Sequence, residues 1–79
     1  MSNTNQSAGD AVRTARHHAG MTQADVAFAM RAAGHRWDRH QVSRVENGWR
    51  RVSAAAAVDL AEILAVPVGV LLEGGPGGR

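Results

Sequence analysis

The stretch Met21-Thr22-Gln23-Ala24-Asp25-Val26-Ala27-Phe28-Ala29-Met30, followed after a connector by Val42-Ser43-Arg44-Val45-Glu46-Asn47-Gly48, decides how this chain folds. Thr22 with Asp25 three residues later is a helix-start signature. The hydroxyl takes a backbone N–H of the first turn, and the carboxylate sits where the helix dipole favours negative charge. Val26, Ala27 and Met30 then fall on one buried stripe, with Phe28 and Ala33 at its margins, and Gly34 ends the helix. His35-Arg36-Trp37 leads to Asp38, an N-cap for a second short helix running from Arg39 to about Asn47. In that helix Val42 and Val45 point inward at i, i+3 spacing, which leaves Arg39, His40, Ser43 and Arg44 outward. Gly48 breaks it.

The flanks extend the same pattern. Upstream, a helix is expected over residues 8–19, with Val12, Ala15 and Ala19 on one face and Gly20 as a left-handed stop. Downstream, Ser53 caps a helix in which Ala57, Leu60, Ala61 and Leu64 recur at i, i+3, i+4, i+7. Pro67, whose missing N–H costs nothing in a first turn, starts a short fifth helix carrying Val68, Leu71 and Leu72. No strand signal and no internal repeat interrupt this. The expected fold is all-α, with five helices, of which the second and third form a helix-turn-helix. Residues 1–7 read as a polar, flexible lead, 8–73 as the domain, and 74–79 (GGPGGR) as a flexible tail.

Seventy-nine residues make one small domain, which buries only roughly 60% of its unfolded surface and leaves little room for a catalytic cleft. Cysteine is absent, so disulfides, thiolate zinc sites and a cysteine nucleophile are excluded. Residues 1–7 have no apolar run, and the most apolar stretch, residues 63–72, is short and broken by Pro67, so a soluble cytoplasmic protein is expected. His17, His18, His35 and His40 lack the spacing of a metal site. Asp59 and Glu62 read as an exposed helix face. No nucleophile–base pair or glycine-rich phosphate loop is present, so neither an enzyme nor a cofactor is expected.

Net charge is only +2, but it is unevenly spread. Residues 31–51 carry six arginines against Asp38 and Glu46, whereas residues 52–73 carry only the acids Asp59, Glu62 and Glu73. One basic face for a polyanion is the implied arrangement. A helix-turn-helix places its second helix in the major groove of double-stranded DNA, where an arginine can fork onto guanine O6 and N7. Arg39 and Arg44 are therefore the expected base readers, with His40 and Ser43 beside them.

With these elements in order, the sequence resembles the Cro/XRE (lambda-repressor-like) family of helix-turn-helix domains. The motifs are VRTARHHAGMT for the first helix and its turn, TQADVAFAM for the second, VSRVENG for the third, Ser53 with LAEILAV for the fourth, and LL for the fifth. The resemblance implies that Gln23 bonds a backbone phosphate and buttresses the recognition helix. It implies phosphate contacts for Asn47, Arg50 and Arg51, and a largely buried ion pair between Arg16 and Glu46. Three features depart from the pattern. Six residues separate Met30 from Trp37 where one is usual, Val52 and Ala57 replace the usual proline and leucine, and Trp49 follows Gly48 as exposed aromatic area beside DNA or at a dimer contact.

Ile63, Val66 and Val70 exceed what one buried stripe needs, and the resemblance implies a homodimer through the fifth helix. Two recognition helices would then stand about 34–36 Å apart and read a near-palindromic operator. The expected function is sequence-specific transcriptional regulation, most simply repression. The same fold acting as a protein-interaction module, or as an antitoxin bound to a toxin, is the alternative that the sequence leaves open.

Overall fold

The computed structural model describes residues 4–73, with side-chain surroundings for residues 8–71. Its elements are α1 (Thr4–His18), α2 (Gln23–Ala32), α3 (Arg39–Glu46), α4 (Ala54–Leu64) and α5 (Val68–Glu73), and no strand occurs among the described residues. The helices begin where side-chain oxygens can take the free N–H groups of a first turn. Thr22 accepts from the Asp25 amide while Asp25 accepts from the Thr22 amide, so the capping box is complete. Asp38 and Ser53 cap α3 and α4 through the amides of Gln41 and Ala56.

A repeated terminator closes α1 to α4. In each, an amide just beyond the helix end bonds back to the fifth carbonyl before it: Met21 to Arg16, His35 to Met30, Trp49 to Arg44 and Val66 to Ala61. This Schellman arrangement needs a left-handed residue. At the end of α3 that residue is Gly48, at φ 78°, and at the end of α4 it is Ala65, at φ 59°.

Val12 and Ala15 of α1, Val26, Ala27 and Met30 of α2, Val42 and Val45 of α3, and Leu60, Ala61 and Leu64 of α4 meet in one core. Trp37 of the connector and Leu71 of α5 complete it. Full burial of a side chain such as Leu60 contributes about 1.5–3 kcal/mol. α3 lies against α1 and α2, α4 against α2, and α5 against α1 and α4. α3 is thus supported from behind by two helices, with its other side open. Among the described residues no helix is long and apolar enough to cross a membrane.

Some details differ from the sequence expectation. α1 starts at Thr4 rather than residue 8, because nothing such as proline stops the helix from extending upstream. Ala19 is exposed, since it lies past the last turn of α1. Phe28 is 69% exposed and Ala33 is also exposed, because α2 presents only a narrow stripe to its neighbours. α3 ends at Glu46, with Asn47 as its cap. Residues 1–3 of the expected lead and the whole 74–79 tail lie outside the described residues.

Candidate nucleic-acid interface

α3 is eight residues long, and both faces of its cylinder are spoken for. Gln41, Val42, Val45 and Glu46 are buried, while Arg39, His40 and Arg44 are exposed and Ser43 is half-buried. The side chains of Arg39, His40 and Arg44 form no hydrogen bond or salt bridge among the described residues, although the charges of His40 and Arg44 help to lower the Asp38 carboxyl. Three cationic or proton-accepting side chains therefore project from a short helix whose other side is packed. The structure brings all four expected base readers to that one open side.

The C-terminal end of α3 is fixed through Glu46, which is 1% exposed. Arg16 donates from Nε to Oε2 at 2.6 Å and from Nη2 to Oε1 at 3.0 Å, a two-pronged fork from α1. Arg16 also donates to the Met21 carbonyl at 3.1 Å, joining the α1–α2 turn to the same cluster. Gln23, at the start of α2, donates to Glu46 Oε1 at 3.1 Å. Arg13 donates to the Glu46 carbonyl at 3.1 Å, and its Nε stands 3.7 Å from Oε1. Burial is the strongest single influence on the Glu46 carboxyl and opposes its charge. The hydrogen bonds from Arg16 and Gln23, with the charges of Arg16 and Arg13, together outweigh burial and hold it below the usual carboxylate range. The hydrogen bond to Glu46 raises the Arg16 guanidinium correspondingly.

Two members of this arrangement escaped sequence reading. Arg13 lies one turn before Arg16 on α1, and that i, i+3 spacing was the available signal. Gly9, one further turn back, is buried where α1 crosses the end of α3. A methyl group there would stand 2.5 Å from the Val45 carbonyl oxygen and 2.6 Å from that of Glu46. The glycine is what lets the two helices approach.

The expected phosphate-contacting residues are placed less uniformly. Gln23 and Arg39 line one shallow depression with Arg16, His17 and Thr22, so the N-terminus of α2 opens beside the start of α3. One Gln23 amide hydrogen is used on Glu46, and one remains for a ligand. The Asn47 side-chain amide donates to the Ser43 carbonyl at 2.9 Å and to the Ser43 hydroxyl at 3.4 Å, which closes the helix end. Arg50 and Arg51 are exposed in the α3–α4 loop, next to Trp49, which is 81% exposed.

The residues expected at a dimer seam, Ile63, Val66 and Val70, are half-buried and pack partly against the molecule's own core. Val66 and Val70 line an apolar groove of about 580 Å³ with Ala11, Ala15 and Leu64. His35 and Asp59 are not the solvated residues expected, because His35 Nε2 stands 2.7 Å from Asp59 Oδ2, tying the connector to α4. That contact spans 24 positions, and no local pattern announces it.

Five packed helices, with a short basic one held by the helix before it and turned to solvent, define a helix-turn-helix domain. The sequence matches the family described as "Helix-turn-helix domain" over residues 7–73, and the chain belongs to that family. The Cro/XRE-like resemblance of its motifs agrees with this placement. The fold is similar to the clp gene regulator ClgR from C. glutamicum, with a TM-score of 0.81 and 23% identity over 98% of this chain and 92% of that one. It is similar to the restriction-modification controller protein C.AhdI from Aeromonas hydrophila, with a TM-score of 0.71 and 30% identity over 84% and 92% of the two chains. The DNA-binding domain of BldD from S. venezulae is similar at a TM-score of 0.72 and 30% identity, over 90% and 99%. No curated protein matches the sequence.

Proposed function

We propose that the chain binds double-stranded DNA by laying α3 in the major groove, and that it regulates transcription by occupying an operator. The observation that carries this reading is the fixed attitude of α3. Asp38 caps one end and the Glu46 cluster anchors the other, while Arg39, His40 and Arg44 are left unpaired toward solvent. A helix already fixed in place loses less entropy on binding than a mobile one. Arg39 and Arg44 read base edges, with His40 and Ser43 adjacent, and Gln23, Asn47, Arg50 and Arg51 set the register on phosphates. The BldD domain is by its name a DNA-binding domain, and C.AhdI a controller protein, which supports the reading by kinship.

In the same reading two copies associate through α5 and the adjoining residues Ile63 and Val66, giving a near-palindromic operator and repression by occlusion in the cytoplasm. Selection of bound duplexes from a random pool tests this. Recovered half-sites one helical turn apart are the expected result, and Arg39→Ala and Arg44→Ala each cost about 1–3 kcal/mol and relax one base position. Unchanged affinity and preference in both variants would overturn it.

A further inference from the structure

The connector between α2 and α3 comprises residues 33–38 and is held far more firmly than a surface loop needs to be. Ordering each backbone residue costs about 1–2 kcal/mol, so a lengthened loop stays open to motion unless it is tied down. This one is tied at nearly every step. The His35 amide bonds the Met30 carbonyl at 3.0 Å, and the His35 ring meets Asp59 at 2.7 Å. Arg31 reaches forward from α2 to donate to the Trp37 carbonyl at 2.8 Å. The Trp37 side chain is buried in the core, and Asp38 is spent on capping α3. Arg36 alone among the connector's polar side chains is exposed and forms no hydrogen bond or ion pair among the described residues.

Its position limits what it can meet. Arg36 and Arg39 are three positions apart, so their Cα atoms are at most about 11 Å apart. The major groove is about 12 Å wide. With Arg39 at the base edges, Arg36 stands less than a groove width away, within reach of the sugar-phosphate strand at the rim. A guanidinium there is always charged and presents a fork that fits phosphate oxygens. We propose that the connector is a rigid bracket that holds Arg36 against a backbone phosphate at the edge of the groove that α3 enters. The proposal rests on the DNA-binding reading and adds to it a contact that the shorter connection of the common pattern has no room to make. The bracket contributes binding strength and register, and leaves base preference to α3.

The test uses the full chain and one 30-base-pair duplex recovered by the selection described above, with affinity measured across a series of salt concentrations. Circular dichroism of each variant confirms that it is folded. Arg36→Gln is expected to weaken binding severalfold and to flatten the slope of log affinity against log salt by about 0.9 for each bound copy. Arg36→Lys, which keeps the charge, is expected to restore the slope. A repeat selection with Arg36→Gln is expected to return the same base preference. An unmutated chain that binds while Arg36→Gln keeps its full slope overturns this proposal alone, as does a changed preference at any base. An unmutated chain without salt-dependent binding overturns it together with the reading beneath it.

Discussion

Arg16 and Glu46, thirty positions apart in the sequence, meet through two hydrogen bonds of 2.6 and 3.0 Å in the interior of the molecule. Their side chains are only 12% and 1% exposed, so neither charge has water to fall back on. Desolvating a pair of ions costs several kcal/mol, and the fork geometry with Gln23 and Arg13 nearby is what offsets it. Removing one partner leaves the other buried and unpaired. Glu46→Ala is expected to lower stability by about 3–5 kcal/mol, read as a shifted urea midpoint, whereas replacing both residues by apolar ones of similar volume should cost much less. Equal losses in the single and double variants would contradict the pairing.

The same carboxylate dictates how stability follows pH. Glu46 is held below its usual value of 4.5, so the unfolded chain binds its proton more readily than the folded one. Its contribution is therefore fully present above that value and is lost as pH falls through the lower, folded one. Asp25 and Asp38 are shifted the same way, chiefly by backbone hydrogen bonds from Thr22 and Gln41, but both lie at the surface. Urea titrations from neutral to acid pH are expected to show a decline that begins near the usual carboxylate range. In Glu46→Gln, the decline should be shallower, from a lower starting stability.

Gly9 and Gly69 make opposite predictions for one substitution. Alanine favours a helix over glycine by about 0.8–1 kcal/mol. At Gly9 the added methyl meets the backbone of Val45 and Glu46 at 2.5–2.9 Å, whereas at Gly69 nothing lies within 4 Å. Gly69→Ala is expected to stabilise the domain by up to about 1 kcal/mol. Gly9→Ala is expected to destabilise it by about 1–3 kcal/mol, because α1 must move off the end of α3. Thermal melts of the two variants decide this, and a Gly9→Ala protein as stable as the parent would show that α1 approaches α3 less closely than described.

What could be foreseen from the sequence divides along the distance over which residues interact. Thr22, Asp38 and Ser53 announced helix starts because a cap is settled within three residues, and the Val42 and Val45 spacing settled which side of α3 faces solvent. The inward role of Gln41 did not follow, since binary patterning sorts polar residues outward. Glu46 was placed with Arg16 by resemblance rather than by spacing. Gly9, Arg13 and the His35–Asp59 contact depend on how two helices cross, information that no local period carries. Phe28 stands exposed where an apolar side chain is expected to be covered, whereas the exposure of Trp49 agrees with the sequence reading. For the candidate site, the identity of the outward residues was legible and their support from α1 largely was not.

Ala65 and Gly48 occupy equivalent places in the terminators of α4 and α3, at φ 59° and 78°. A residue with a Cβ pays about 1–2 kcal/mol in the left-handed region, while glycine pays instead through the greater freedom of its unfolded chain. At Ala65 the first cost is being borne now. Ala65→Gly is expected to be net stabilising by about 0.5–1 kcal/mol, which at this size raises the melting temperature by roughly 2–8 °C. Gly48→Ala should reverse the sign and do more. The Gly48 and Trp49 amides close α3 through the carbonyls of Val45 and Arg44, so strain at residue 48 reaches the helix that carries Arg44. Gly48→Ala is therefore expected to weaken duplex binding beyond its loss of stability, and Ala65→Gly to leave binding unchanged. Matched effects of the two variants on binding, measured where both are fully folded, would mean that the end of α3 has no privileged connection to the site.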